Sequence, residues 1–424
     1  MTAGLHELAV HGAEWTTKEL FTYPNEFVYW TIQIVMYPYI TGLVAGAFVL
    51  SSLYHVFGQE ELKDIAKFAL VFSLALLIVA PMPLLFHLQQ PMRNWEVMFT
   101  PHFTSAIAAF GMVYSFYMAI VVGEIWFVYR KFFIEKAIAL KEAKGMYNRI
   151  LGMVYKALTL GSYDLSEKAV HTDHKIIKFL AALGIPVACF LHGYAGFIFG
   201  SVKANALWMT PLMPVIFIMS AIVSGIALCM LTDIIIMEWQ KFRIKHTRKK
   251  AKISAEEVAG AEIDVVRKSA KYLVGAMIAA LVLELVDLIF RGYTAMKSWD
   301  ILRHVIYDMD FTKIFIMQYG IGNLLPFILL LMPKLTVKRA ALATTLVLFG
   351  VFMMRWNVVI GGQAFSNSFA GYMHYHLPII PHNAETFKEG VLGALFMGAL
   401  PFVLFYFFNK IIPAIKYIKP VDNQ

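Results

Sequence analysis

Long apolar runs separated by short polar segments form the main pattern of this chain. The runs stand at about residues 27–55, 65–88, 104–130, 176–200, 211–238, 270–291, 313–332, 339–360 and 390–412. A helix needs about 20 apolar residues to cross a hydrocarbon core of about 30 Å. In lipid, only helices and closed barrels satisfy their backbone hydrogen bonds. The pattern therefore predicts an all-α, polytopic transmembrane protein with nine spans, or ten if a connection holds another.

The composition agrees with a membrane protein. Hydrophobic residues make up 59% of the 424 residues and charged residues 15%, with a mean hydropathy of +0.64. Soluble domains are about 45–50% apolar and about 25% charged. The net charge of +9 would favour nucleic acid binding in a soluble protein, but here the basic residues flank apolar runs. We therefore expect membrane lipid, and no nucleic acid, as a partner.

Basic residues are concentrated in alternate connections, at 130–175, 241–271 and 334–339. Cytoplasmic loops of membrane proteins carry an excess of Lys and Arg. The distribution predicts a multi-pass protein of a bacterial or archaeal inner membrane, with its N-terminus outside and its C-terminus in the cytoplasm. Residues 1–26 lack a basic region followed by an apolar core, so no cleavable signal peptide is expected.

The two cysteines, Cys189 and Cys229, lie inside apolar runs. The sequence has no CxxC, CxxCH or ferredoxin-type cysteine set, so we expect neither an iron–sulfur cluster nor haem c in this chain. No metal site is predicted. A single haem b between His87 and His192, which fall at similar depths, is an alternative.

Polar residues gather at the predicted outer ends of the first four runs. Asn25, Tyr29 and Gln33 recur at every fourth position and share one helix face. The other members of the group are His87, Gln89, Gln90, Arg93, Asn94, His102, Thr104, Ser105 and His192. A quinone head group needs donors for its carbonyls and a proton acceptor when the quinol is oxidised, which Tyr or Asn and His supply. The group predicts a quinone site; the alternative is that these residues hold helix ends together.

A second polar set lies deeper in the predicted membrane. It comprises Glu124, Asp233, Glu284, Asp287 and Arg291. Ionisable residues inside a bilayer usually face a protein interior or a cavity, and they can relay protons. The set predicts a proton path, with a structural ion-pair network as the alternative. A further outer group is formed by Arg355, Asn357 and Gln363.

Several segments resemble the NrfD/PsrC family of membrane subunits, which includes the polysulfide reductase anchor. They are YPYITGLVAGAF, HLQQPMRNWEVMFTPHFTSAIAAFG and HGYAGFIFGSVKANALWMTPLMPVIFIMSAIVSGIAL, and the resemblance runs from about residue 25 to 410. It implies two four-helix bundles plus a flanking helix. The regions are a periplasmic segment at 1–26, a first bundle at 27–200 and a second at 201–360. Residues 361–424 hold an outer loop, the last helix and a cytoplasmic tail.

The resemblance also implies a menaquinone site in the first bundle. We assign proton exchange to His87 and His192. Head-group binding is assigned to Asn25, Tyr29, Gln33, Gln90, Arg93, Ser105 and Tyr114, with Tyr117 as an alternative to Tyr114. Two positions depart from the family pattern: His87 stands where an acidic residue is frequent, and Tyr29 where the polysulfide reductase type has a histidine. The predicted extra span is similar to the QrcD-like branch.

The function implied is that of a quinone-binding membrane anchor in a respiratory oxidoreductase, with coupling to proton translocation left open. The implied partners are a periplasmic four-cluster ferredoxin-like iron–sulfur subunit and either a molybdopterin-type large subunit or a multihaem cytochrome c. The outer loop 361–389 is a candidate docking surface. A secondary transporter and a haem b anchor are the alternative functions.

Overall fold

The computed structural model describes residues 30–102, 104–142, 144–203, 205–246, 255–293, 299–364 and 372–415. Asn25, Tyr29 and the predicted segment 1–26 lie outside these residues. The described part is helical and contains no strand. Its α-helices are α1 (Ile32–His55), α2 (Lys63–Val79), α3 (Met82–His87), α4 (Glu96–Phe99), α5 (Ala106–Ala139), α6 (Met146–Leu158), α7 (Glu167–Gly200), α8 (Met213–His246), α9 (Ala255–Tyr293), α10 (Trp299–His304), α11 (Leu325–Leu331), α12 (Val337–Val359), α13 (Ala384–Lys388) and α14 (Val391–Ile411).

Nine helical segments of the described chain are long and apolar enough to span a membrane, which confirms the predicted fold class. Several helices are longer than the apolar runs that predict them. α5 continues to Ala139 and α7 begins at Glu167, and each has 34 residues, or about 51 Å at the usual helical rise. An apolar run marks only the part that suits hydrocarbon, whereas the helix continues into water.

Two predicted spans are not regular α-helices. The run 65–88 is broken between α2 and α3, where Pro81 precedes α3 and Pro83 lies in its first turn; a proline has no N–H to continue the helical ladder. In the seventh span, Thr312–Leu324 is π-helical and is called the π segment below. The Leu325 N–H, for example, bonds to the carbonyl of Gly320.

The long helices pack in two groups of four. α1, α2, α5 and α7 form one group, and α8, α9, α12 and the π segment with α11 form the other. α8 also packs against α1 and α7, so it lies between the groups, and α14 flanks α1 and α2. The boundaries predicted at residues 26, 200 and 360 stay predictions.

Glycines allow helices to approach closely, both between the two groups and within the second group. A Cβ atom on Gly46 of α1 would overlap the backbone of Ala221 and Gly225 in α8, and a Cβ on Gly225 would overlap Gly46. Gly322 of the π segment and Gly350 of α12 make the same kind of contact. Since small residues permit close helix packing in membranes, these pairs fix the helix positions around the polar sites.

Candidate functional site

The start of α1, the end of α3 and the start of α14 meet at one end of the protein, called here the His87 end. His87 Nδ1 lies 3.2 Å from Glu389 Oε2, and the Thr31 hydroxyl donates to the same carboxylate oxygen. The side chains of His87 and Glu389 are 25% and 17% exposed. We call Thr31, His87, Tyr375 and Glu389 the His87 cluster.

The segment before α14 is fixed to α1 by hydrogen bonds. Gln33 Nε2 donates to the Lys388 carbonyl, and the Ile32 N–H donates to the Tyr375 hydroxyl over 3.2 Å. Asn383 caps α13 reciprocally with Thr386, which directs the chain back towards α14. These contacts bring Glu389 to His87, although the two are 302 residues apart in sequence.

The carboxylate of the His87 cluster is held in its charged form. Burial by itself raises the pKa of Glu389, but the hydrogen bonds from His87 and Thr31 outweigh it, and the pKa is lowered from its usual value. Burial raises the pKa of Tyr375 to about 12, so its hydroxyl remains neutral. The cluster therefore presents an imidazole beside an ionised carboxylate, which accepts a hydrogen bond from the ring.

The other residues predicted for the first bundle have diverse surroundings. Gln33 is buried, and its Oε1 has no hydrogen-bond partner among the described residues. The Tyr114 hydroxyl donates to the Leu77 carbonyl over 2.6 Å. Ser105 precedes α5 without a side-chain capping bond. Gln90 and Arg93 are exposed, and Arg93 pairs with Glu96 at 2.8 Å.

His192 lies between the two groups of helices in a different environment. Its Nε2 lies 2.9 Å from Nη2 of Arg355, which also donates to Ser220 Oγ over 2.6 Å. The guanidinium carbon is 3.8 Å from the ring centroid of Phe217. His192 and Arg355 are 1% and 0% exposed. We call these four residues the Arg355 cluster. Since a guanidinium only donates, Nε2 of His192 accepts.

Glu124 lies towards the opposite end, called the basic end because α5 carries Arg130 and Lys131 there. Its carboxylate is fully buried, with Oε1 3.4 Å from His55 Nδ1. Neither oxygen has a hydrogen-bond partner within the part of the chain that the structure describes. Asp233 is half-buried on α8, one turn beyond Cys229.

Glu284, Asp287 and Arg291 line a cavity in the second group of helices. Arg291 Nε donates to Asp287 over 2.9 Å and Nη1 to the Ala206 carbonyl over 2.7 Å, while Thr210 donates to Asp287 over 2.5 Å. The ion pair of Asp287 and Arg291 therefore also links α9 to the segment that precedes α8. Glu284 belongs to a separate group, because it accepts from Gln318 Nε2 over 3.0 Å.

The outer group predicted from Arg355, Asn357 and Gln363 is dispersed in the structure. Arg355 contacts His192, Asn357 Nδ2 donates to Gln318 Oε1 over 2.8 Å, and Gln363 exchanges hydrogen bonds with the Trp30 backbone. Residues two positions apart on a helix face different directions, so proximity in sequence does not make these residues one site.

Several contact residues escape the sequence reasoning. Among them are His55, Ser220, Gln318 and Glu389. Gln318 has a signal in the sequence, because it is a polar residue inside the seventh apolar run. Glu389 has none, because it stands beside other polar residues in a loop and only the fold brings it to His87.

Comparison with known proteins places the chain in a family. The family described as "Polysulphide reductase, NrfD" matches residues 21–367. The chain belongs to the NrfD family. This confirms the resemblance found in the sequence, whereas the QrcD-like branch stays a prediction.

Individual NrfD relatives match over part of their length. A selenate reductase subunit of Mesobacillus selenatarsenatis is 36% identical over 199 residues, which is 47% of this chain and 46% of that protein. Protein NrfD of Escherichia coli is 28% identical over 210 residues, 49% of this chain and 60% of that protein. The Haemophilus influenzae protein named Protein NrfD homolog is 26% identical over 212 residues, 49% of this chain and 59% of that protein. The chain thus spans roughly half the length of the curated relatives it matches.

Proposed function

We propose that this NrfD-family chain is the quinone-reactive membrane subunit of a respiratory oxidoreductase. The observation that carries the proposal is the His87–Glu389 pair at the His87 end. An imidazole next to an ionised carboxylate, partly open to its surroundings, is suited to take up a proton during quinol oxidation and to return one during quinone reduction.

The residues beside this pair fit a quinone head group. Menaquinone, when bound, exchanges two electrons and two protons. Gln33 Oε1 is a buried acceptor without a partner in the described chain, so it suits a ligand hydroxyl. Asn25 and Tyr29 lie outside the described residues and stay predicted head-group ligands. Glu389 would keep the His87 ring oriented.

The proposed partners come from the family and not from a contact in the structure. One relative is named as a selenate reductase subunit, which supports membership of a reductase complex. We infer an iron–sulfur subunit of the four-cluster ferredoxin-like type, together with a molybdopterin-type large subunit or a multihaem cytochrome c. The iron–sulfur subunit would dock at the His87 end.

The proposed orientation follows from charge. The basic end carries the Lys- and Arg-rich connections, and such connections favour the cytoplasm. The His87 end would then face the periplasm of an inner membrane, on the side where the proposed electron-carrying partner docks.

Glu124 and Asp233 are proposed as part of a proton path from the basic end, with His55 as an added member because it adjoins Glu124. Glu284, Asp287 and Arg291 are proposed for the second group of helices. Of these, Glu284 is the best suited to exchange a proton, because Asp287 and Arg291 neutralise each other. Replacing Glu124 and Asp233 together by their amides should lower turnover and membrane-potential generation; unchanged values of both would contradict the path.

Purification of the intact complex in mild detergent tests the function. Extracted lipids should contain menaquinone, and an iron–sulfur protein should copurify. His87→Ala should lose the bound quinone, whereas His382→Ala, an exposed histidine of the same segment, should retain it. A lone chain without quinone would instead indicate a secondary transporter, and a Soret band assigned to this chain would indicate a haem b anchor.

A further inference from the structure

A cleft in the second group of helices lies apart from the His87 cluster. Its volume is about 120 Å³, and it is partly open. Apolar side chains form most of its lining, among them Leu207, Ile216, Leu288, Ile306 and Ile314. An apolar cavity of about 150 Å³ can hold benzene, so this partly open cleft has room for one ring of a head group whose remaining part lies outside it.

One wall of the cleft is polar, and one buried acceptor atom on it, Asn357 Oδ1, has no hydrogen-bond partner among the described residues. Asn357 is 7% exposed, and its Nδ2 donates to Gln318 Oε1 and, over 3.4 Å, to the Lys313 carbonyl. Because Nδ2 faces two acceptors, the orientation of the amide is determined. Buried acceptors in proteins are normally paired with a hydrogen-bond donor.

The donors on the same wall already have partners. Gln318 Nε2 donates to Glu284 over 3.0 Å, the Tyr319 hydroxyl lies beside the same carboxylate, and Arg291 is engaged by Asp287 and the Ala206 carbonyl. The wall is therefore short of a donor and not of an acceptor. It suits a ligand that carries a hydroxyl better than one that carries only carbonyls.

The π segment forms this wall. Its wider backbone turn places Gln318 and Tyr319 next to each other at the cleft, and π-helical turns occur frequently at functional sites. Gly322 and Gly350 bring the π segment and α12 into contact, which positions Gln318 against Asn357. The polar wall is thus a product of the irregular helix.

The surroundings of the cleft are those of a surface in lipid. α9 exposes Leu285 and Ile289, and Tyr307 and Phe311 are exposed before and at the start of the seventh span. A ligand that partitions into the bilayer could therefore reach the cleft from the side, with its ring among the apolar residues and its tail outside.

We propose that this cleft binds the reduced head group of a lipid-soluble quinol, with a ring hydroxyl donating to Asn357 Oδ1. The site uses residues different from those of the His87 cluster, so this inference and the proposed function can fail separately. It concerns binding alone.

Photolabelling of the intact complex tests the site. An azido-naphthoquinone with an isoprenoid tail, reduced with borohydride, should label peptides that contain residues 284–291 or 313–319. Excess unmodified menaquinol should protect these peptides, and a phospholipid at equal concentration should not. Protection by phospholipid, or absence of label from these peptides, would overturn the proposal.

Two tryptophan variants give a matched pair. Leu288→Trp places a large ring in the cleft and should abolish the label there, while Leu285→Trp, on the lipid-facing side of α9, should keep it. Label near His87 should persist in both variants, which shows that they are folded. Equal cleft labelling in both variants would refute the site, and equal labelling by the oxidised probe would refute its assignment to the quinol.

The two sites give separable outcomes. If His87→Ala removes only the label at the His87 end, both proposals stand. If the cleft is never labelled but the His87 end is, the inference fails and the proposed function survives. If the cleft alone is labelled, the inference stands and the His87 site fails.

Discussion

His87 lies beside a carboxylate and His192 beside a guanidinium, although the sequence predicts a proton-exchanging role for both. Glu389 accepts from His87 at a partly exposed surface, whereas Arg355 donates to His192 in the buried contact between the helix groups. A carboxylate can only accept a hydrogen bond from an imidazole, whereas a guanidinium can only donate one to it. The two histidines therefore suit different tasks.

The Arg355 cluster holds a fully buried cation among uncharged partners. Arg355 contacts His192, Ser220 and the carbonyl of Phe217, and its guanidinium lies over the Phe217 ring. Burying a charge is costly unless it is hydrogen-bonded, and a desolvated cation–π contact contributes about 2 kcal/mol. We interpret His192 as an acceptor that helps to hold Arg355, whereas His87 is the residue proposed to exchange protons.

The largest expected effect separates the two histidines by activity. His87→Gln keeps an amide N–H for Glu389 but cannot take up a proton, so quinone-linked turnover of the complex should fall by at least about 100-fold. His192→Gln, whose amide oxygen can still accept from Arg355, should change turnover by less than about threefold. Steady-state assays in membranes measure both. An equal loss of turnover in the two variants would contradict the different roles assigned to the two histidines.

The next effect concerns stability around Arg355. His192→Ala leaves the guanidinium short of an acceptor and should lower the free energy of unfolding by about 1–3 kcal/mol. His192→Gln should recover most of that loss. His174→Ala, an exposed histidine on the same helix, serves as the control. A melting temperature for His192→Ala equal to that of the control would contradict the role as acceptor.

The pH dependence of stability should show whether the Glu389 carboxylate beside His87 is ionised. The folded pKa of Glu389 is lowered, so its contribution to stability is present above the ordinary glutamate pKa and is lost as the pH falls through the folded pKa. Below about pH 5, wild type should lose about 1 kcal/mol more than Glu389→Gln. Melting curves from pH 7 to pH 3 provide the test, and parallel curves for the two proteins would argue against the charged pair.

The smallest effect is expected at Arg93. Its side chain is exposed and pairs with Glu96, and exposed ion pairs contribute little to stability. Arg93→Ala should leave both bound quinone and the melting temperature unchanged. Loss of quinone from this variant, with Glu96→Ala unaffected, would restore Arg93 to the head-group site predicted from the sequence.

Much of the architecture can be predicted because lipid imposes simple rules. Apolar runs of sufficient length become helices, and the order of the nine spans in the described residues follows from the sequence. The helix ends are predicted less well, as α5 and α7 show by continuing beyond their apolar runs. The break before α3 has a visible signal in Pro81 and Pro83, whereas the π segment has none.

The candidate sites are predicted only in part. His87, His192 and Glu284 attract attention because polar residues are rare in apolar runs. Their partners cannot be identified in this way, because Glu389 and Ser220 are unremarkable where they stand in the sequence. Asn357 is detectable as a polar residue, but its unused oxygen depends on the position of Gln318 across the cleft.

By itself, the sequence determined the membrane class, the nine spans of the described chain and the membership of the NrfD family, since these depend on local hydrophobicity and on motifs in order. Only the tertiary structure decided that His87 contacts the carboxylate of Glu389 and His192 the guanidinium of Arg355. The partners of a buried polar group come from other helices, and the approach of those helices depends on contacts such as Gly46 with Gly225. Two histidines with the same sequence signal thus acquire opposite electrostatic surroundings.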